Sequence, residues 1–111
     1  SIVAISSYSS INGDKGQLAY AASKSAIDSS VIVMSKELYS KNIRVNAIRP
    51  AIIQGEDTNI ELLPVSIKNI IEKMKIGLID PNIIAEQIAF LISDCSSGVY
   101  GRCFDVKGYL S

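Results

Sequence analysis

Three side chains in the first part of the sequence are of types that could move a proton to or from a carbonyl or alcohol oxygen: Ser7, Tyr20 and Lys24. Tyr20 and Lys24 belong to Tyr20-Ala21-Ala22-Ser23-Lys24. Positions four apart share one face of a helix, so a phenol and an ammonium lie one turn from each other. A phenol ordinarily titrates near pH ~10 and is a poor acid or base at neutrality, and a neighbouring cation favours its phenolate form. The pair is therefore suited to donate and accept a proton. Spacing alone is a weak signal. On the order of one chain in five of this length contains Tyr-x-x-x-Lys by chance, and an exposed Tyr and Lys on a helix surface is its commoner cause.

Context adds weight. Ser7 lies thirteen residues before Tyr20, just past Ser1 to Ile5, a short β-branched run that reads as a buried strand emptying into a loop. A hydroxyl there could reach a carbonyl oxygen beside the phenol. Both residues would then sit at the carboxyl ends of strands, the edge where open α/β sheets bind ligands. Ser6, Ser9 and Ser10 compete for the same role, and turn chemistry is the commoner task of any one serine in such a loop.

Leu18 to Tyr39 contains no Gly or Pro and reads as a helix of about 5–6 turns. Its first half carries Ala19, Ala21, Ala22, Ser23, Ser25 and Ala26, small side chains that allow close approach on more than one side. Ile43 to Ile48 is a second strand, stopped by Pro50. Pro64 opens a helix to about Lys75, with Ile67, Ile70, Ile71 and Met74 on one face. Asp80-Pro81 is a helix start, and that helix runs to about Ser93. Arg102 to Val106 is a third strand. Strand, helix, strand, helices, strand is the pattern of a parallel sheet covered by crossover helices.

The 111 residues allow one domain with a modest core, and 48% apolar and 20% charged residues are an ordinary globular balance. Eleven basic and eleven acidic residues cancel, which speaks against nucleic acid or an anionic membrane as partner. The absence of histidine excludes Ser-His-Asp and Cys-His catalysis and removes the commonest metal ligand; no metal site is expected. Cys95 and Cys103 lack CxxC spacing and read as small thiols in a reducing compartment. No apolar stretch approaches the ~20 residues that span a bilayer, so a cytoplasmic protein is expected. The opening at Ser1, without Met and directly in a strand-like run, suggests a fragment.

Ile2-Val3-Ala4-Ile5-Ser6-Ser7, Tyr20-Ala21-Ala22-Ser23-Lys24-Ser25-Ala26 and Ile43-Arg44-Val45-Asn46-Ala47-Ile48-Arg49-Pro50 resemble consecutive signature blocks of the short-chain dehydrogenases/reductases. The stretch Asp80-Pro81 to Ser93 resembles the family's last large helix, and Gly101 to Gly108 its last strand. The resemblance covers essentially the whole chain. It implies the C-terminal catalytic half of a doubly wound, Rossmann-like parallel sheet over residues 1–111, with the N-terminal nucleotide-binding half absent: no G-x-G-x-x-G turn occurs. It further implies hydride transfer between NAD or NADP and a ketone or secondary alcohol, with 3-oxoacyl carrier-protein reduction and sugar or polyol oxidation both open.

By that resemblance Tyr20 is the general acid/base and also contacts the cofactor, Ser7 orients the substrate oxygen, and Lys24 binds the nicotinamide ribose besides tuning Tyr20. Pro50, Ala51, Ile53 and Gly55 match the segment that lines the nicotinamide. The loop from Glu56 to Ser66 would form part of a substrate lid. The family commonly dimerises through the Tyr20–Lys24 helix, so a homo-oligomer is expected. Departures from the family pattern are Ala51 in place of Gly, Gly55 in place of Thr, and Val106-Lys107-Gly108-Tyr109 in place of Val-Asp-Gly-Gly. The isolated chain is expected to be inactive, and a non-catalytic scaffold that kept the fold is the alternative.

Overall fold

The protein is described by a computed structural model covering residues 1–56 and 58–110. Three strands, β1 (Ile2–Ile5), β2 (Val45–Pro50) and β3 (Cys103–Val106), form one sheet in the order β1-β2-β3. Both pairs are parallel, with Ile2 opposite Val45 and Ala47 opposite Cys103. Helices α1 (Ser9–Asn12), α2 (Leu18–Leu38), α3 (Val65–Lys73) and α4 (Pro81–Ile92) fill the connections. The expected open, Rossmann-like parallel sheet is the one observed. Among the described residues no helix is long and apolar enough to cross a membrane.

The central strand explains the two layers. Side chains alternate across a strand, and Val45 and Ala47 pack with Val31, Ile27, Met34 and Leu38 beneath α2. Ile48 faces the other way, into a cluster with Ile79, Ile84, Leu91 and Met74 beneath α3 and α4. Burial on both faces is what a parallel strand with covering helices requires.

Two polar side chains inside this core, Arg44 and Asn46, are each held by several hydrogen bonds. Arg44 donates to the carbonyls of Leu91 at 3.0 Å, Ser93 at 2.9 Å and Ser96 at 2.8 Å, and to Ser96 Oγ at 2.7 Å. These carbonyls lie at the end of α4 and in the 3-10 turn Asp94–Ser96 that follows it, so Arg44 gathers the whole turn. Asn46, with no exposed surface, donates to Val99 O and accepts from Arg102 N, both at 3.0 Å. It thereby fixes the chain's entry into β3.

Local chemistry sets the element ends. Asp80 accepts from Asn82 N at 2.8 Å and Pro81 follows as the first helical residue, as the sequence predicts. A 3-10 turn over Tyr39–Lys41 extends α2, and Asn42, at φ 59°, closes it by donating to Tyr39 O. Asn tolerates this left-handed conformation better than most residues. Gly101 has φ 63°, and a Cβ there would lie 3.1 Å from Ser35 Oγ. Gly101→Ala is expected to destabilise the fold by about 1–2 kcal/mol, from the left-handed backbone and the crowding together; urea unfolding measures it.

Three boundaries differ from the sequence reading. Pro50 does not stop β2 ahead of itself but is its last residue. It contributes its carbonyl, to Tyr8 N at 2.9 Å, and its missing N–H falls where the ladder ends anyway. Pro64 caps α3 from outside instead of opening it. The Ser-rich stretch after β1 contains the single-turn helix α1 rather than only loop.

Candidate active site

β1 delivers its residues to the carboxyl edge of the sheet, and its ladder with β2 outlasts the strand itself. Ser6 N donates to Ile48 O at 2.8 Å and Tyr8 N to Pro50 O at 2.9 Å. The backbone on either side of Ser7 is thus fixed by the central strand. Ser7 is 6% exposed, and its Oγ accepts from Ser9 N at 3.1 Å. A hydroxyl that accepts on one side still has its proton to give.

Its neighbours are differently occupied. Ser6 Oγ donates to Lys24 O at 3.2 Å, and Ser10 Oγ donates to the Asp28 carboxylate. Ser25 Oγ in turn donates to Ser10 O at 2.7 Å. These bonds fasten the first turns of α2 to the end of β1. The alternatives Ser6 and Ser10 are therefore structural ties.

Tyr20 sits in the first turn of α2 and is half exposed. Lys24 lies one turn on, its Nζ 5.8 Å from the Tyr20 ring centroid and donating to Ile5 O at 3.1 Å. That carbonyl belongs to the last residue of β1, two before Ser7. The ammonium is thus held at the mouth of the strand, beside the Tyr20 ring. The loop that turns β1 into α2 is pinned by Gln17 N donating to Asp14 O at 3.1 Å and by Gly16 at φ 86°.

Segment 50–55 leaves β2 at the same edge. Ala51 N donates to Val106 O at 2.9 Å, extending the sheet toward β3. Ile53 pairs with Ile79 in an isolated parallel bridge, with Gln54 N donating to Ile79 O and Ile79 N to Ile52 O, each at 2.9 Å. Gly55 is exposed, and its N–H is taken by Thr58 Oγ1 at 2.7 Å. Pro50 thus meets the residues after β1, while Ala51 is anchored to β3, Ile53 to Ile79 and Gly55 to Thr58.

α3 closes over this segment. Ile67 and Ile70 face Tyr8, Ala51, Ile52 and Tyr109 across a crevice of about 50 Å³. A hydrogen bond from Ser66 and one from the Lys15 N–H hold the exposed Asp14 carboxyl below its ordinary range. α3 and the β1–α2 loop therefore touch through Asp14 and Ser66. Of the expected lid, Glu56 and residues 58–66 are described, and Asp57 lies outside the described residues. A wider hollow of about 500 Å³, between Tyr39, Tyr100 and Arg102, lies at the opposite, amino end of the strands.

Sequence reasoning missed two groups. Arg49 pairs with Asp105 at 2.7 Å and with Asp28 at 3.5 Å, tying α2 to β2 and β3. Beside them burial pushes the Cys103 thiol up, which keeps it protonated and unreactive. The second group is Tyr8, Lys107 and Tyr109. Burial, then the adjacent Tyr8 phenol, pushes the Tyr109 phenol up, and Lys107 Nζ donates to Tyr8 OH at 3.3 Å. Lys107 and Tyr109 had shown in the sequence only as departures from a pattern.

Residues 1–109 match the family model described as Enoyl-(Acyl carrier protein) reductase. A solved short-chain type dehydrogenase/reductase from Mycobacterium ulcerans superposes with a TM-score of 0.84 at 28% identity, covering 96% of this chain and 39% of that one. The chain belongs to the short-chain dehydrogenase/reductase family. Within that family it is similar to the 3-oxoacyl-(acyl-carrier-protein) reductase FabG of Thermotoga maritima, 38% identical over 112 residues, which make up 99% of this chain and 45% of the relative. FabG of Chlamydia trachomatis is also 38% identical, over 96% of this chain and 43% of its own length. A structure of 4-hydroxyisoleucine dehydrogenase complexed with NADH gives a TM-score of 0.85 at 31% identity, over 97% of this chain and 45% of that one. This short-chain dehydrogenase/reductase chain thus spans less than half the length of the curated relatives it matches.

Proposed function

We propose that this chain supplies the catalytic half of an NAD(P)-dependent oxidoreductase that interconverts a ketone and a secondary alcohol. The observation that carries the reading is Lys24, held by Ile5 O at the end of β1 with the Tyr20 ring beside it, two residues from a buried Ser7.

Ser7 donates its hydroxyl proton to the substrate oxygen and fixes where the carbonyl sits. Tyr20 gives that oxygen a proton in reduction and removes it in oxidation. Lys24 stabilises the phenolate left behind, and its ammonium would also hold the ribose hydroxyls of a nicotinamide nucleotide. The donor set fits the nicotinamide end of a dinucleotide: one ammonium, two hydroxyls and the segment carrying Pro50, Ala51, Ile53 and Gly55. A nicotinamide bound here supplies or takes the hydride. The protein's part is orientation and the proton.

The similarity to two 3-oxoacyl-(acyl-carrier-protein) reductases supports a 3-oxoacyl thioester as substrate class. The free thiols Cys95 and Cys103 support a reducing, cytoplasmic setting. Following NADPH and NADH absorbance with 3-oxoacyl thioesters and simple ketones tests the function in the polypeptide that carries this chain together with a nucleotide-binding half. Turnover with neither cofactor on any of these carbonyls sinks the reading.

Residues 1–111 by themselves are expected to give no turnover, because no Gly-rich turn for a diphosphate occurs in the sequence. Steady-state assay of the isolated chain checks this. Self-association through α2 is expected as well. Only Val31 and Ser35 of its 21 residues are buried, Ile32 and Val33 are about half exposed, and apolar helix surface of that kind favours association. Light scattering that finds a clean monomer at high concentration contradicts it.

A further inference from the structure

The residues after β3 reach back across the sheet to the turn that carries Ser7. Lys107 Nζ sits 4.8 Å from the centroid of the Tyr8 ring and 5.2 Å from that of Tyr109. The two rings meet edge to face, 6.2 Å apart at 89°. Lys107 also donates to Tyr8 OH at 3.3 Å. One cation thus occupies the corner between two perpendicular rings.

The topology makes this contact unusual in what it spans. Tyr8 follows β1 and Lys107 follows β3, the two outer strands, with β2 between them. Neighbouring strands lie about 4.8 Å apart, so the contact bridges roughly 10 Å over the end of the central strand. Ala51, at that end, is small enough to let the Tyr8 ring pass. The side chains of Tyr8 and Tyr109 then form one wall of the crevice under α3.

Tyr8 is also the point on which the Ser7 turn hangs. Its N–H holds Pro50 O, and its carbonyl accepts from Ile11 N at 3.2 Å and Asn12 N at 3.1 Å. Ser7 Oγ is set by Ser9 N, one residue beyond Tyr8. The ring held by Lys107 and this backbone share one Cα, so an anchored ring adds to the restraint on the Tyr8 backbone that sets α1 and, through Ser9 N, the Ser7 hydroxyl. Cation–ring contacts of partly desolvated groups are strong enough to favour one rotamer of Tyr8.

Resting on the oxidoreductase reading above, we propose that Lys107 is a positioning residue: with Tyr109 it clasps Tyr8 across the sheet edge and so aims the Ser7 hydroxyl at the substrate oxygen. The sequence departures at 107 and 109 are then a matched set with Tyr8, two aromatic rings and the cation that locks them.

The test uses the polypeptide carrying this chain with its nucleotide-binding half, and two readouts. Lys107→Met is expected to lower kcat by about 10- to 100-fold, the cost of misplacing a reacting group by roughly an ångström. KM for the nicotinamide cofactor should move less than about twofold, because the groups facing it are untouched. Lys107→Arg should recover most of kcat, since a guanidinium also stacks on tyrosine rings. Hydrogen exchange read by mass spectrometry needs no turnover: amides of 8–12 should exchange faster in Lys107→Met, revert in Lys107→Arg, and leave α4 unchanged.

Wild-type kcat in Lys107→Met overturns the proposal, whatever the exchange does. Lost kcat with unchanged exchange at 8–12 also overturns it, since Lys107 would then act on the substrate directly. Slowed turnover with exchange raised throughout the chain overturns it in favour of a general stability role. A protein with no activity on any carbonyl, whose 8–12 turn still loosens selectively in Lys107→Met, supports the clasp and refutes the oxidoreductase reading instead.

Discussion

Tyr20→Phe is expected to lower kcat by about 100- to 10,000-fold, the range over which a positioned acid–base group acts. The substitution deletes one oxygen from a half-exposed ring in the first turn of α2. Its effect on stability should be within about 0.5 kcal/mol, as for most surface changes. Lys24 keeps its bond to Ile5 O, so cofactor affinity should be nearly unchanged. The signature is therefore a collapse of kcat with little change in cofactor KM or unfolding midpoint, measured by steady-state kinetics on the polypeptide with its nucleotide-binding half. Equal turnover in wild type and variant would mean that the phenol is not the proton carrier. Activity in neither would favour a scaffold that kept the fold.

The second large effect concerns stability. Arg44→Met removes the guanidinium that serves Leu91 O, Ser93 O, Ser96 O and Ser96 Oγ. The aliphatic stem is roughly replaced, but these acceptors lose a charged donor and keep only neutral ones, among them Ser96 Oγ on Leu91 O, Ser96 N on Ser93 O and Val99 N on Ser96 O. Hydrogen bonds from a charged group are worth about 1.5–3 kcal/mol each, and the remaining donors and water entry recover part of that, so a loss of about 2–4 kcal/mol is expected. Arg44→Lys should recover some of it, because an ammonium has three donors but cannot span the fork of acceptors. Urea unfolding of both variants measures the difference. A loss below about 0.5 kcal/mol in the Met variant would show that solvent readily serves those carbonyls.

The fold was legible where the signal was local. α2 was marked by a long run without Gly or Pro, α4 by Asp80-Pro81, and β1 by its β-branched residues. β2 was readable too, but its end was misplaced, because Pro50 argues against a central strand only where a donor is needed. α1 escaped because four residues of Ser, Ile and Asn show no period. Arg44 and Asn46 stood inside a recognisable block, yet nothing local says what they hold: their partners lie between 47 and 56 residues away.

The candidate site divides in the same way. Tyr20 and Lys24 were paired by helical spacing alone. The sequence alone does not separate Ser6, Ser7, Ser9 and Ser10, because four serines in one short stretch differ only in what their hydroxyls already hold. The partnership of Tyr8 with Lys107 and Tyr109 could not be read at all. It depends on strand order and register, which bring residues 99 apart in sequence into contact.

The central strand separates two kinds of requirement along its length. Arg44 and Asn46 brace the architecture near where it begins, while Pro50 and Ala51 meet the candidate reaction groups where it ends, about 20 Å away at roughly 3.3 Å per residue. Changes that far apart combine nearly independently. Arg44→Met and Tyr20→Phe together should show the stability loss of one and the kinetic loss of the other, with no cross-talk. An engineer could harden the amino end of this sheet without retuning the chemistry, and mutational drift at the carboxyl end could explore new substrates on an unaltered frame.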